Sequence, residues 1–170
     1  MMDTLNELLE DEIKDVYIAE NQLLKALPKL AKKATSPALK DAFTSHLKET
    51  ENHVKRLEAV GALLGISKLT GKKCKAMEGL IEEGKEVLEE EGKGAVIDAA
   101  LIGAAQRVEH YEMAAYGTVR AMAQALQQDK AVKLLQETLD EEKAADEKLT
   151  TIAEEEVLQS AIEISETADN

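Results

Sequence analysis

The stretch AVIDAALIGAAQRVEHYEMAAYGTVRAM, residues 95–122, decides the fold. Ile97, Leu101, Ala105, Val108, Ala115, Val119 and Met122 recur at three- and four-residue steps, the spacing that lays one apolar stripe along a helix. The stripe breaks at Glu112, and Glu109 stands one turn earlier on the same side. A carboxylate in the middle of a face that should be dry is the feature to follow through the rest of the chain.

It recurs three times. The first helix carries Leu5, Leu9, Val16, Leu23, Leu27 and Leu30, with Glu12 and Glu20 falling inside the stripe. The second shows Leu39, Phe43, Leu57, Val60 and Leu64, with His46, Thr50 and His53 in the central positions and Glu49 beside them. The last long helix gives Leu135, Leu139, Ala145, Leu149 and Ile152, interrupted at Glu142. Four carboxylates buried alone would each cost several kcal/mol even after relaxation, so a bound cation pair is the economical solution.

Composition supports an all-helical domain. Hydrophobic residues make up 44% of the chain but aromatics only 2%, so the core must be aliphatic and strand-forming material is scarce. At 170 residues one domain, 1–170, suffices to bury that core. The net charge of −13 argues against nucleic acid or an anionic membrane as partner. Lys68, Lys72, Lys73 and Lys75 form the one basic concentration and read as a solvated loop. The single cysteine, Cys74, excludes an internal disulfide and reads as a small packed residue. Met1 to Glu12 are acidic and helix-forming, without a basic segment leading into an apolar run, and a cytoplasmic protein is expected.

The punctuation places the helices. Thr4-Leu-Asn-Glu7 is a capping box, and the helix it opens runs to about Ala34, with Pro28 expected to kink it. Ser36-Pro37 starts a second helix that ends near Leu64 and Gly65. Glycine-rich residues 65–94 read as a crossover with one short helix, about 76–91. The third long helix covers about 95–127, Asp129 is expected to cap the fourth, and that helix continues to about Glu155. The tail from Glu156 forms one more short helix or frays, with Glu166 to Asn170 disordered. Two short turns and one long crossover give the connectivity of an antiparallel, ferritin-like four-helix bundle.

Heights agree with a shared site. Glu20 and Glu49 stand at nearly equal distances from the turn at Thr35, and Glu112 and Glu142 do the same about the turn at Gln128. Each level lies roughly 21 to 24 Å from its turn at ~1.5 Å per residue, which is mid-height. Tyr17, Tyr111 and Tyr116 flank the carboxylates; a phenol there can hydrogen-bond a ligand, or simply fill the core. Asp146 can orient a ligand or close the polar layer, whereas His110, Glu12 and Glu141 read as surface or supporting groups.

The segments AENQLLKALPK (19–29), HLKETENH (46–53), KCKAMEGLIEEG (73–84), VEHYEMAAYGT (108–118) and ETLDEEKAADEKLT (137–150) resemble the YciF-type stress-protein family of bacteria, within the ferritin-like superfamily. The resemblance spans nearly the whole chain. It implies a bundle that dimerises, two divalent metal ions (iron, with manganese as the alternative) and a stress-linked role. The chain departs from the Glu-x-x-His pairs of well-known ferritin-like sites, since neither Glu49 nor Glu142 has a histidine three residues later.

The ligand set expected from the sequence is Glu20, His46, Glu49, Glu109, Glu112 and Glu142, with His53 competing with His46 for the imidazole role. Because both histidines lie on one helix, the two metal positions are expected to be unequal. The expected function is a homodimeric di-iron or dimanganese protein handling O2 or peroxide; a metal-free protective or interaction module is the alternative. No Gly-rich phosphate loop, cysteine pair or nucleophile triad offers other chemistry.

Overall fold

The structure is a computed structural model that describes residues 3–92 and 94–168. It is all-helical over the described residues. The long helices are α1 (Leu5–Lys33), α2 (Pro37–Leu64), α4 (Gly94–Ala125) and α5 (Asp129–Ile152). A short helix, α3 (Lys75–Glu89), lies between α2 and α4, and a π turn over Ala153–Val157 leads into α6 (Leu158–Ala168).

Local chemistry starts and stops these helices as their sequence suggests. Thr4 Oγ1 accepts from Glu7 N at 3.2 Å, and the Glu7 carboxylate accepts from Thr4 N at 2.9 Å. Ser36 caps α2 with Pro37 in its first turn. Gly65 closes α2 in the left-handed conformation, φ 74°, and Ile66 N donates back to Gly61 O at 2.8 Å.

α1 runs through Pro28 to Lys33, close to its expected end. Two expectations change. Asp129 is the first residue of α5 rather than its cap; Gln128 takes the cap position and makes no side-chain capping bond. The preceding turn is closed by backbone instead, with Gln127 at φ 58° and Gln128 N donating to Ala123 O at 2.9 Å. The tail is helical to Ala168, including Glu166; Asp169 and Asn170 lie outside the described residues.

α1 packs against α2 and α4, and α5 packs against α4 and α2. Contacts such as Tyr17 with Glu58 and Glu20 with His53 run antiparallel along α1 and α2. The start of α4 sits at the α1–α2 turn. There the buried Asp98 carboxylate accepts from Thr35 N (2.8 Å), Thr35 Oγ1 (2.6 Å) and Ser36 N (2.7 Å), and a Cβ on Gly94 would come within 2.8 Å of Thr35 Oγ1. The segment holding α3, which packs on α1 and α4, therefore carries the chain from the far end of α2 back to the turn.

Aliphatic side chains form two clusters. One gathers Leu23, Leu27, Leu39, Phe43, Leu101, Leu149 and their neighbours at the turn end; the other gathers Leu9, Ile13, Leu57, Val60, Tyr116, Val119 and Leu135 at the opposite end. The polar positions that interrupt the stripes lie between the two.

Candidate metal centre

On α2 the side chains of His46, Thr50 and His53 occupy stripe positions and are buried. Thr50 satisfies its hydroxyl on His46 O at 2.9 Å. The histidines are seven residues apart, two helical turns, so both rings reach the interior layer, with centroids 6.2 Å apart. Each ring is held from behind. His46 Nδ1 lies 3.2 Å from Glu49 Oε2, and His53 Nε2 lies 2.8 Å from Glu141 Oε2. Glu141 is in turn gripped by both guanidinium nitrogens of Arg56, at 2.5 and 2.6 Å, while Arg56 also donates to Thr138 Oγ1 at 3.1 Å. A carboxylate on one ring nitrogen fixes the tautomer and leaves the other nitrogen as a free donor atom.

Those free nitrogens face carboxylates. His53 Nδ1 stands 3.0 Å from Glu142 Oε1 and 3.4 Å from Glu20 Oε1; His46 Nε2 stands 3.4 Å from Glu109 Oε1 and 3.6 Å from Glu142 Oε2. None of these approaches has the alignment of a hydrogen bond. Among the described residues, eight buried side-chain atoms consequently lack a hydrogen-bond partner: one oxygen each of Glu20 and Glu109, both oxygens of Glu112 and Glu142, His46 Nε2 and His53 Nδ1. Natural interiors rarely leave such groups orphaned, because each costs about 1–3 kcal/mol or more when charged.

The six residues that carry the orphaned atoms fall into two groups that could hold a metal ion. One comprises His46, Glu109, Glu112 and Glu142, the other Glu20, His53 and Glu142, with donor atoms inside each group within 4.8 Å of one another. Glu142 belongs to both. Tyr116, fully buried, donates its hydroxyl to Glu20 Oε1.

Electrostatics describe a site short of positive charge. Burial drives Glu20, Glu109 and Glu112 above the ordinary carboxylate range, and repulsion from Glu142 adds to it. Burial also opposes charge on the rings. The carboxylates overcome it: Glu109, Glu49 and Glu142 push His46 up to about 9, and Glu142 and Glu20 push His53 up to about 11. Glu142 itself is held below its usual value, because the two imidazoles outweigh its burial. Without a metal, protons supply the missing positive charge.

Of the residues expected from the sequence, the structure brings together Glu20, His46, Glu109, Glu112 and Glu142, and adds His53. It does not bring Glu49 to the cluster; that side chain is 42% exposed and sits behind the His46 ring. The two imidazoles fall one to each group, so the expected inequality shrinks to a difference in carboxylates. Glu12 is half-buried and belongs to neither group. Asp146 is also outside both, near Gln106 Nε2 at 3.2 Å and the exposed His110 ring at 3.4 Å. Tyr17 bonds Glu58. Tyr111 lies against Asp15 and Cys74. Arg56 was not singled out in the sequence; its position three residues after His53, on the same face of α2, was the available signal.

A cleft of about 140 Å³ between α2 and α5 leads to His46 and Glu109 past Ala42, Ser45, Ala144 and Ala145. These small side chains leave the polar layer open to a molecule of a few atoms.

Comparison with known proteins places this architecture. The chain is 49% identical over 152 residues to Protein YciF of Escherichia coli K12, covering 89% of this chain and 92% of that one. The crystal structure of the E. coli stress protein YciF superposes with a TM-score of 0.87, covering 89% of this chain and 96% of that one. YcfI from Rhodopseudomonas palustris gives 0.86 at 45% identity, covering 89% and 96%. A Xanthomonas campestris protein, 18% identical, shares the fold at a TM-score of 0.76, covering 96% and 99%. No helix among the described residues is long and apolar enough to cross a membrane. Residues 4–162 match the family described as a domain of unknown function, DUF892, and this chain belongs to that YciF-type family.

Proposed function

We propose that this protein is a ferritin-like four-helix bundle that binds two divalent metal ions at mid-height and handles O2 or peroxide in a stress response. The observation that carries the reading is that the six residues with buried, unpartnered oxygen and nitrogen atoms are the same six that form two groups able to hold a metal ion. Glu20, His53 and Glu142 would hold one ion; His46, Glu109, Glu112 and Glu142 would hold the other. Four carboxylates balance two divalent cations, so the filled layer would be neutral. A donor set of imidazole and carboxylate suits iron, with manganese the alternative. The stress role rests on the printed description of the E. coli relative.

Bound iron would supply electrons to a small oxidant and the open positions at which it binds. The chain's own residues do the rest. Glu49 and the Arg56–Glu141 pair hold the imidazoles in the tautomers that present Nε2 of His46 and Nδ1 of His53. Tyr116 restrains Glu20 through its hydroxyl. Ala42, Ser45, Ala144 and Ala145 are among the side chains lining the cleft of about 140 Å³ that reaches His46 and Glu109. A homodimer and a cytoplasmic location, with neither nucleic acid nor membrane as partner, belong to the same proposal.

Metal analysis of protein purified without chelator, combined with thermal melting, tests it. Binding selective for the folded state stabilises by about 2.7 kcal/mol at a hundredfold excess over Kd, and Glu142→Ala, which touches both groups, should abolish that gain. Less than one metal per chain, with no melting shift in anaerobic Fe(II) or in Mn(II), rejects the reading in favour of a metal-free module. Light scattering tests the dimer.

A further inference from the structure

Away from the polar layer, a groove of about 270 Å³ opens where α3 crosses α1 and α4. Its walls are aliphatic, with Leu23 and Leu30 from α1, Leu80, Ile81 and Leu88 from α3, and Val108 from α4. No aromatic side chain lines it, so nothing there stacks on a planar ring. The volume is close to the roughly 300 Å³ at which small-molecule pockets begin.

Charge around the groove runs against the rest of the molecule. Lys25, Lys29, Lys73 and Lys85 line it, with Glu78 the one acidic side chain among the lining residues. Lys73 pairs with that carboxylate at 2.8 Å. The other three lysines form no ion pair among the described residues, in a chain where carboxylates outnumber cationic side chains by 34 to 21. Three ammonium groups outside any direct ion pair, with Lys85 within electrostatic reach of Glu78, stand beside an apolar channel and complement a ligand with an anionic head and an alkyl body.

Gly84 is a second, independent observation. It lies inside α3, is buried and lines the groove, yet a Cβ built on it would meet nothing within 4 Å. Glycine within a helix lowers helix stability relative to alanine. Gly79 and Gly117 also face open space within their helices, but Gly79 is exposed and Gly117 only half-buried; at Gly84 the open space is buried and belongs to the groove.

We infer that this groove binds a single-chain fatty carboxylate, with the alkyl chain between α1, α3 and α4 and the carboxylate among Lys25, Lys29 and Lys85. The site is separate from the metal centre, and its occupancy does not depend on metal.

Calorimetric titration of the full chain with dodecanoate, below its micellar concentration, is the test. Saturable binding of one dodecanoate per chain is expected, with no such binding of dodecyltrimethylammonium. Gly84→Leu fills the groove and should weaken binding by on the order of tenfold or more. Lys25→Gln, Lys29→Gln and Lys85→Gln combined should weaken it without touching the walls, and thermal melting confirms that both variants fold. Absence of saturable binding overturns the proposal, as does equal affinity for the cationic amphiphile or unchanged affinity in Gly84→Leu. Two other occupants would also overturn it. One is a second copy, revealed if Gly84→Leu halves the mass seen in light scattering while dodecanoate fails to bind. The other is a bilayer surface, revealed if phosphatidylglycerol vesicles sediment the protein while free dodecanoate does not bind.

Discussion

The two aliphatic layers and the polar layer between them share the four long helices and their stripes, with Met77 of α3 and Val157 of the π turn added at the turn end, yet their energetics are opposite. In the layer around Leu57, Val60, Val119 and Leu135 the side chains are fully buried and meet only their own kind. In the middle, Glu20, Glu112, Glu142 and His53 are just as buried and leave oxygen and nitrogen atoms without partners. Stability thus resides in the outer layers, and the middle layer is a cost that those layers sustain. Under the proposed function, that cost is retained for the metal ions the layer binds.

The contrast breaks most sharply under truncation. Leu57→Ala removes a side chain 1% exposed and should destabilise the fold by about 2–5 kcal/mol, with or without metal, as read by urea unfolding. Glu112→Leu should do the reverse. Both of its oxygens are unpartnered, and an apolar side chain of similar size in place of a buried charge is often neutral or stabilising by about 1–4 kcal/mol. The metal-free variant should melt at or above wild type while losing one metal in titration. A marked loss of stability in Glu112→Leu would mean that the carboxylate already has a partner in the metal-free fold.

How far the layer could be read in the sequence depends on side-chain direction. The helices, their turns and three of the four interrupting carboxylates, Glu20, Glu112 and Glu142, followed from spacing, because burial of a stripe imposes a period that few sequences show by chance. Glu49 was expected opposite Glu20 because the two stand at equal heights, but helical side chains lean toward their own N-terminus. On antiparallel helices the tips of two residues at equal height diverge. Glu20 therefore meets His53, one turn further along α2, and Glu49 is left behind His46. The same lean allows both imidazoles to serve, where the sequence alone left a choice between them. Asp129 misled for a different reason. Gln127 adopts a positive φ and the backbone closes the turn, so no side-chain cap is needed.

The ring supports sharpen the comparison from outside the layer. Arg56 touches neither proposed metal group; it acts through Glu141 on His53. Arg56→Gln removes the fork that holds this carboxylate, and loss of such outer support typically weakens metal binding by about 10–100-fold. The bidentate pair is partly exposed and contributes little to folding by itself, so the metal-free melting temperature should move by far less than in Leu57→Ala. Metal affinity unchanged in Arg56→Gln would make the Arg56–Glu141 pair a surface ion pair only.

The remaining effect is a slope, and its sign separates the metal-free from the metal-bound layer. An imidazole in an unfolded chain titrates near ~6.5. In the folded, metal-free protein His46 is raised to about 9 and His53 to about 11, and burial raises Glu20, Glu109 and Glu112 as well. Above pH ~6.5 the folded state therefore holds more protons than the unfolded state, and stability must fall as pH rises, by about 1.4 kcal/mol per pH unit for each extra proton. The contribution of the rings is complete below pH ~6.5 and is lost as pH climbs through the two raised values. Glu142, Glu49 and Glu141 are lowered, so their linkage acts only in acid and leaves this window alone. A metal ion needs the same rings neutral and the same carboxylates charged, so binding expels those protons and tightens with pH. Urea unfolding between about pH 6.5 and 8.5 should accordingly show stability falling with pH in chelator and falling less, or rising, in saturating Mn(II). Parallel slopes in the two series would mean that the ion, if bound, does not displace protons from His46 and His53.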